Sequence, residues 1–453
     1  MDYTPHSTDE IKHVMNSLGI NNLDELFKNI PPRLLIKDEG LGDVLKSGIL
    51  SSEGLTEMEL NAHVQELASN NVHYTGIFQG AGCYNHYIPA CVDFICSRSE
   101  FWTSYTPYQA EMSQGFLQVI FEYQSLISRL TGMKYSNASH HDGATALIDA
   151  ILMAKAENKK RNTVLFAGEI NPIYITVVNH ALAPRKYNLN CSEISKIIDA
   201  IDPDTMAVVI QNPTFFGDIL DLEKIVKDIK DKDNKIVIIQ LTTEPLSLAL
   251  LKSPGKAGID IFVGDGQSFG IPMSFGGPGL GIVSVNGKKM LHRMPGRIVG
   301  IGPQLDGSGY GYTLTLQGRE QHIRRERALS NICSNEALNM LRAAVYLAST
   351  GGTGLKQLAE INVIKSNFLK NELDSMSNFE CINTRPTFNE FVAKTKKMGI
   401  DTILNACNNS GILGPIKLEN YNDGWKDLML FCVTELNDIA SLNNMIEILQ
   451  EGS

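Results

Sequence analysis

No stretch of this sequence stays apolar for the ~18–20 residues that a membrane-spanning helix needs, and its first ten residues, MDYTPHSTDE, lack both the basic start and the apolar stretch of a secretory signal. These absences predict a cytoplasmic protein with no membrane partner. Cys83, Cys91, Cys96, Cys191, Cys333, Cys381, Cys407 and Cys432 are scattered, with no CxxC pair and no grouping with histidine at zinc-ligand spacing. Reduced thiols and no metal site are expected. Basic residues are outnumbered, 40 Lys and Arg against 50 Asp and Glu, and the net charge of −10 argues against nucleic acid, whose affinity comes mainly from cations on phosphates. Repeats and low-complexity tracts are missing too. What is present is an ordinary globular composition, 43% hydrophobic and 20% charged, so the chain should fold throughout. Its 453 residues suit two or three domains.

The first part reads as a helical extension, residues 1–55. Leu23, Leu26, Phe27 and Ile30 recur at helical spacing behind an Asn22 cap, and Pro31-Pro32 stops the run. Thr56-Glu57-Met58-Glu59 is a capping box that opens the next helix. After a loop rich in glycine and aromatics, the pattern becomes α/β. An apolar helix runs from Phe116 to Leu130 and ends near Gly132, and a second starts at Asp142-Gly143-Ala144-Thr145. Short apolar runs at Thr163–Ala167, Ala207–Ile210, Ile236–Ile239 and Ile259–Gly264 read as strands of a parallel sheet covered on both faces, with a helix over Leu220–Ile229 between two of them. The glycine-rich segment Phe275–Gly281 precedes another strand and reads as a turn. A helix is expected around Arg319–Leu347. Beyond it, Phe388–Val392 and Leu428–Val433 alternate like half-buried strands, and Leu436–Leu449 reads as a helix packed on them. The chain thus divides into the extension (1–55), a large α/β domain (56–325) and a small α+β domain (326–453).

Two strand ends and one helix start face a common region in such a sheet. The strand through Ile239 ends at Gln240, the strand through Gly264 ends in Asp265-Gly266-Gln267-Ser268, and the turn Asn137–Thr145 opens an apolar helix that could cradle an anion. This is the frame of a pyridoxal-phosphate (PLP) site: a helix N-terminus for the phosphate, an acid against the pyridine nitrogen and a lysine that holds the cofactor as a Schiff base. Gln240 stands where the acid is expected and Gln267 where the lysine is expected. Lys256, Lys288 and Lys289 lie outside that strand end, and no nucleophile–base pair replaces the missing groups. The turn Asp142, Gly143, Ala144, Thr145 is either a vestigial phosphate turn or an ordinary capped helix start.

Two loops are denser in polar aromatics than packing requires. Cys83, Tyr84, His86 and Tyr87 fall in one, and Tyr105, Tyr108 and Gln109 in the other; they read as active-site or subunit-interface contributors. Arg319, His322 and Arg325 fall in a mixed-charge helix, Arg319–Arg327, that is either a solvated face or a partner or anion contact.

Together, Gly80-Ala81-Gly82-Cys83-Tyr84, Tyr105-Thr106-Pro107-Tyr108-Gln109, Asp142–Ala146, Pro245–Leu251, Gly264-Asp265-Gly266-Gln267, Met294-Pro295-Gly296-Arg297, Arg319–Glu326 and Phe388–Val392 closely resemble the glycine cleavage system P-protein, in the lysine-free subunit of its two-subunit form. The resemblance spans nearly the whole chain. His140-His141, ahead of Asp142, departs from the family pattern. The resemblance implies an α/β, PLP-dependent transferase-like (fold type I) large domain and an α2β2 assembly. In it, PLP is held by the lysine of the second glycine dehydrogenase subunit, with none covalently bound here. Glycine would lose CO2 there, and the aminomethyl group would pass to the lipoyl arm of the H-protein. No catalytic residue is expected in this chain alone, and it would complete the active-site walls across the interface. A scaffold that stabilises or docks partners without contributing to the site is the alternative.

Overall fold

A computed structural model describes residues 6–35, 54–103 and 105–451. The chain divides into two compact units, residues 1–73 and 74–453.

In the first unit, Ser7 and Glu10 form a capping box that opens helix Thr8–Leu18, and Gly19 closes it in the left-handed conformation. Asn22 caps the next element as its spacing predicts, accepting from Glu25 N–H at 3.1 Å. That element is a 3₁₀ turn, Leu23–Phe27, rather than an α-helix through Ile30, because Pro31 and Pro32 follow too soon for further turns to form. Thr56 and Glu59 make the expected box for helix Glu57–Ser69. This helix belongs to the first unit, which ends at His73. The rest of the expected extension, residues 1–5 and 36–53, lies outside the described residues.

The second unit is built on a seven-stranded sheet. After a short strand outside this sheet, β1 (Gly76–Ile77), its seven strands are, in chain order, β2 (Tyr135–Ser136), β3 (Thr163–Ala167), β4 (Asn188–Ser192), β5 (Thr205–Gln211), β6 (Val237–Thr242), β7 (Ile261–Asp265) and β8 (Gly281–Val285). The sheet order is β2-β8-β7-β6-β5-β3-β4; β4, β3, β5, β6 and β7 run parallel, and β8 is antiparallel to both β7 and β2. Alternation along the strands feeds two cores. On one face Val208, Ile210, Ile238 and Phe262 pack with Phe116, Leu117 and Ile120 of helix Gln114–Thr131. On the other, Val209, Ile239, Leu241 and Val263 pack with Leu147 and Ile151 of helix Gly143–Glu157. Each such side chain, fully buried, contributes on the order of 1.5–3 kcal/mol. Both helices start or stop on their sequence signals, Gly132 in the left-handed conformation and Asp142 as N-cap.

Strand β6 runs two residues past Gln240, which corrects the expected strand end. Gln240 sits between Ile210 and Phe262 on the neighbouring strands and is buried, its Nε2 donating to Thr242 Oγ1 at 3.1 Å. A polar residue ended the apolar run without ending the strand.

Strands β9 (Val299–Pro303) and β10 (Tyr310–Leu314) form a hairpin. The mixed-charge segment after it is not one helix. It is a chain of short turns, Gln317–Arg319, Gln321–Arg324 and Arg325–Arg327, broken where Arg325 takes φ 52°. Exposed i,i+4 pairs add only a few tenths of a kcal/mol each and do not offset the cost of starting a helix. The long helix Ala337–Ser375, interrupted at Gly351, then leads to a second sheet of β11 (Phe379–Cys381), β12 (Glu390–Thr395), β14 (Ile416–Lys417) and β15 (Leu428–Cys432), in the order β11-β12-β15-β14. Both β12 and β15 are buried almost throughout, more than the alternation suggests, with helices Ile400–Asn409 and Ile439–Glu451 beside them. Because β1 pairs with β13 (Ile412–Leu413), the C-terminal part also takes in the start of this unit. Residues 74–453 form one compact unit.

Candidate functional site

The loop Gly80–Tyr87 crosses the carboxyl end of the parallel sheet, where ligands of open α/β sheets bind. Its backbone is unusual: Ala81 has φ 61° and Gly82 has φ 104°. A non-glycine residue there needs tertiary support. Ala81 N–H donates to Glu390 Oε1 at 2.6 Å, and Ala81 C=O accepts from Asn171 Nδ2 at 2.8 Å. Gln267, two residues past the end of β7, accepts Tyr84 N–H at 2.9 Å and donates through Nε2 to Tyr84 C=O at 3.0 Å and to Ile271 C=O at 2.9 Å.

Side chains of this loop alternate inward and outward. Tyr84 is 1% exposed, its hydroxyl donating to Glu390 Oε2 at 2.9 Å and lying 3.2 Å from Thr243 Oγ1. His86 is buried between two carboxylates, Nε2 2.8 Å from Glu244 and Nδ1 2.9 Å from Glu435, and Glu435 also takes Tyr87 N–H at 2.7 Å. Cys83 and Tyr87 are exposed. Burial alone would lower the His86 pKa, but the two carboxylates outweigh it and raise it to about 10. Against its own burial, Glu435 is drawn down to about 2 by His86. Burial pushes Glu390 up to about 7 despite the hydrogen bonds from Ala81 and Tyr84. The imidazolium therefore joins Glu244, just past β6, to Glu435, just past β15, and holds the loop between them.

The start of helix Gly143–Glu157 is filled by the chain's own carboxylates. Asp142 accepts Thr145 N–H at 2.8 Å, and Asp265, at the end of β7, accepts Gly143 N–H at 3.1 Å and Gln267 N–H at 2.9 Å. Burial raises the Asp265 pKa to about 6 in spite of those two donors. The packing is also close, since a Cβ on Gly143 would come within 2.6 Å of the Tyr174 hydroxyl. Of the two open readings of this turn, the geometry is that of a capped start closed by carboxylates. A covalently held PLP needs an amine at the strand end and free donors at the helix start. Here the strand-end amide is committed to Tyr84 and Ile271, and Asp142 and Asp265 already take the Thr145 and Gly143 N–H groups at the helix start. These residues do not fit the cofactor. His140 turns away into the core, bonded to Asn137 and Asp149, and His141 lies 2.9 Å from Glu336.

A second cluster gathers the other aromatic loop. Tyr108, more than half exposed, lies over the fully buried Arg297 guanidinium at 5.3 Å and accepts from Arg297 Nη2 at 2.9 Å. Arg297 also pairs with buried Glu320, which lies beside Arg319, and the His322 ring is 6.4 Å from that of Tyr108. Burial lowers the Arg319 pKa to about 10, with Glu320 opposing. Tyr105, 80% exposed, accepts from Ser334 Oγ at 2.5 Å and borders a cavity of about 460 Å³ shared with Phe101, Trp102 and Leu338. Gln109 is exposed. Arg325 stands apart, on a different cavity with His141 and Arg185.

The structure thus unites Tyr84, His86 and Gln267 in one network and Tyr108, Arg319 and His322 in another. Sequence reasoning missed Glu244, Glu390 and Glu435 as members of the first. Their signal was available: Glu244 and Glu435 follow the buried strands β6 and β15 within three residues, and Glu390 opens β12. Among the described residues no helix is long and apolar enough to cross a membrane, and no group of three or more His, Cys, Asp or Glu could hold a metal ion.

Comparison with known proteins agrees with this frame. A likeness to a C-DES mutant with glycine covalently linked to the PLP cofactor (15% identity, TM-score 0.59, 86% of this chain and 99% of that one) shows the fold alone, the PLP-dependent fold type I. The crystal structure of a glycine decarboxylase (P-protein) of the glycine cleavage system, in inhibitor-bound form, aligns over 100% of both chains at TM-score 0.84 and 34% identity. The probable glycine dehydrogenase (decarboxylating) subunit 1 of Desulforamulus reducens is 45% identical over 444 residues, 96% of each chain. The family model for the glycine cleavage system P-protein matches residues 1–449. The chain belongs to the glycine cleavage system P-protein family.

Proposed function

We propose that this chain is the lysine-free subunit of a cytoplasmic glycine decarboxylase, and that in an α2β2 assembly it completes the walls of a glycine site whose PLP is held by a lysine of the second subunit. The observation that carries this reading is Gln267, whose amide is bound to the Tyr84 main chain at the strand end where a lysine would be needed. The relatives named as subunit 1 support it, since that name implies a second subunit. The cofactor, when bound to the partner, supplies an electron sink for the charge left as glycine loses CO2. What this chain contributes is shape and water exclusion. Cys83 and Tyr87 on one loop and Tyr105, Tyr108 and Gln109 on the other are exposed and face outward as wall residues, while Tyr84, His86 and the arginine cluster hold them in place. The aminomethyl product passes to the lipoyl arm of an H-protein.

The test compares this chain alone, the lysine-bearing subunit alone and the two together. Visible absorbance of bound cofactor is expected only where the second subunit is present, and exchange of the glycine carboxyl with bicarbonate only with both. Full exchange by the second subunit alone, or covalent cofactor on this chain, would overturn the reading.

A further inference from the structure

We infer that Gln267 is a positioning residue: its amide holds the loop Gly80–Tyr87 in the shape that presents Cys83 and Tyr87 to the partner's site, a role that a lysine at this position could not fill. The inference rests on the proposed function for what the loop is presented to, but the clamp stands on geometry. An amide offers two donors and an acceptor on one short plane. Gln267 uses both donors, on Tyr84 C=O and Ile271 C=O, and its acceptor takes Tyr84 N–H. Lysine has no acceptor, a carboxylate has no donor, and asparagine is one methylene shorter. The clamp lies next to the strained pair Ala81-Gly82, with φ 61° and 104°, so the loop has no regular ladder of its own to keep it there. His86, two residues on, fixes the other end between Glu244 and Glu435. The exposed members, Cys83 and Tyr87, directly flank these fixed points, one before Tyr84 and one after His86. On this view glutamine here does more than leave the lysine out: it converts a cofactor-holding position into a support for the wall of a neighbouring site.

The experiment uses the complex of this chain with the lysine-bearing subunit, and the isolated full chain. In the complex, Gln267→Met is expected to lower glycine decarboxylation about 10²-fold, the scale of a wall misplaced by 1 Å, while the partner's cofactor absorbance and the assembly stay as in wild type. In the isolated chain the same substitution, which removes all three hydrogen bonds of the amide, should speed alkylation of Cys83, followed by peptide mass spectrometry, by about tenfold, equivalent to ~1.4 kcal/mol, with Cys191 and Cys333 unchanged as internal references. Gln267→Glu separates positioning from simple damage. A protonated carboxyl can accept from Tyr84 N–H and donate to Tyr84 C=O, so its activity relative to wild type should recover as pH falls, and that of Gln267→Met should not. Asp265, which takes the Gln267 main-chain N–H, and the Cys83 thiol are the titratable groups beside it. Wild-type turnover and Cys83 labelling in both variants would overturn the inference. A wild-type complex without turnover would sink the proposed function instead, and Cys83 labelling would still decide the clamp.

Discussion

The side chain of Gln267 and the main chain of Tyr84, 183 positions apart, exchange hydrogen bonds in both directions, at 2.9 and 3.0 Å. Removing the amide leaves a donor and two acceptors without partners in a partly buried place. Gln267→Ala is therefore expected to destabilise the chain by about 1–3 kcal/mol, read from the guanidinium midpoint at constant slope. An unchanged midpoint would mean that water replaces the amide at no cost.

His86 carries a sharper expectation because it separates two buried carboxylates. Truncation to alanine leaves Glu244 and Glu435 without their cation, which should cost about 3–5 kcal/mol. The pH dependence follows from the two shifts. The His86 pKa is raised from 6.5 to about 10, so its contribution is complete below 6.5 and is lost as pH rises through 10. That of Glu435 is lowered from 4.5 to about 2, so its contribution is complete above 4.5 and is lost as pH falls through 2. The stability gap between wild type and His86→Ala should be widest between pH 4.5 and 6.5 and narrow on both sides. A gap that does not vary with pH would show that the clamp is not ionic.

Glu390 works in the opposite sense. Its pKa is raised from 4.5 to about 7 by burial, so the chain is most stable with this group neutral and loses stability as pH rises from 4.5 through 7. Glu390→Gln removes that loss and can still accept from Ala81 N–H. Relative to wild type, the variant should gain with rising pH, by up to about 3 kcal/mol by pH 8. Parallel thermal-midpoint curves from pH 5 to 8 would contradict this.

In the second cluster, Glu320 and Tyr108 can be told apart. Glu320→Ala leaves Arg297 and Arg319 without their shared carboxylate and should cost about 3–5 kcal/mol. Tyr108→Phe keeps the ring over the Arg297 guanidinium and loses one hydroxyl, a change of about 1 kcal/mol or less. A fall in turnover of the complex with Tyr108→Phe, at near wild-type stability, would identify the hydroxyl as a wall contact. Turnover equal to wild type would assign it to holding Arg297.

Much of the framework was legible because its signals are local. Asp142 with Thr145 and Thr56 with Glu59 announce helix starts within four residues, and Gly132 announces an end, since caps act on backbone groups that have no other partner. The apolar runs of β3, β5 and β7 mark strands buried on both faces. The same reasoning stopped β6 early at Gln240, because a polar side chain inside a sheet is acceptable once a neighbour such as Thr242 bonds it. It also joined Arg319–Arg327 into a helix, because charge spacing does not reveal that Glu320 is withdrawn to meet Arg297.

The absent lysine at position 267 could be read from the chain alone, since the identity of a strand-end residue needs no fold to be known. What took its place could not. Whether Gln267 was inert or engaged depended on Tyr84 arriving from a loop far away in sequence. Whether His86 and Tyr84 faced solvent or the interior depended on Glu244, Glu390 and Glu435 converging from three different segments. Local backbone choices are settled by neighbours within a turn or a strand. Burial, and the charges and hydrogen bonds that make burial tolerable, come into being only when distant segments meet.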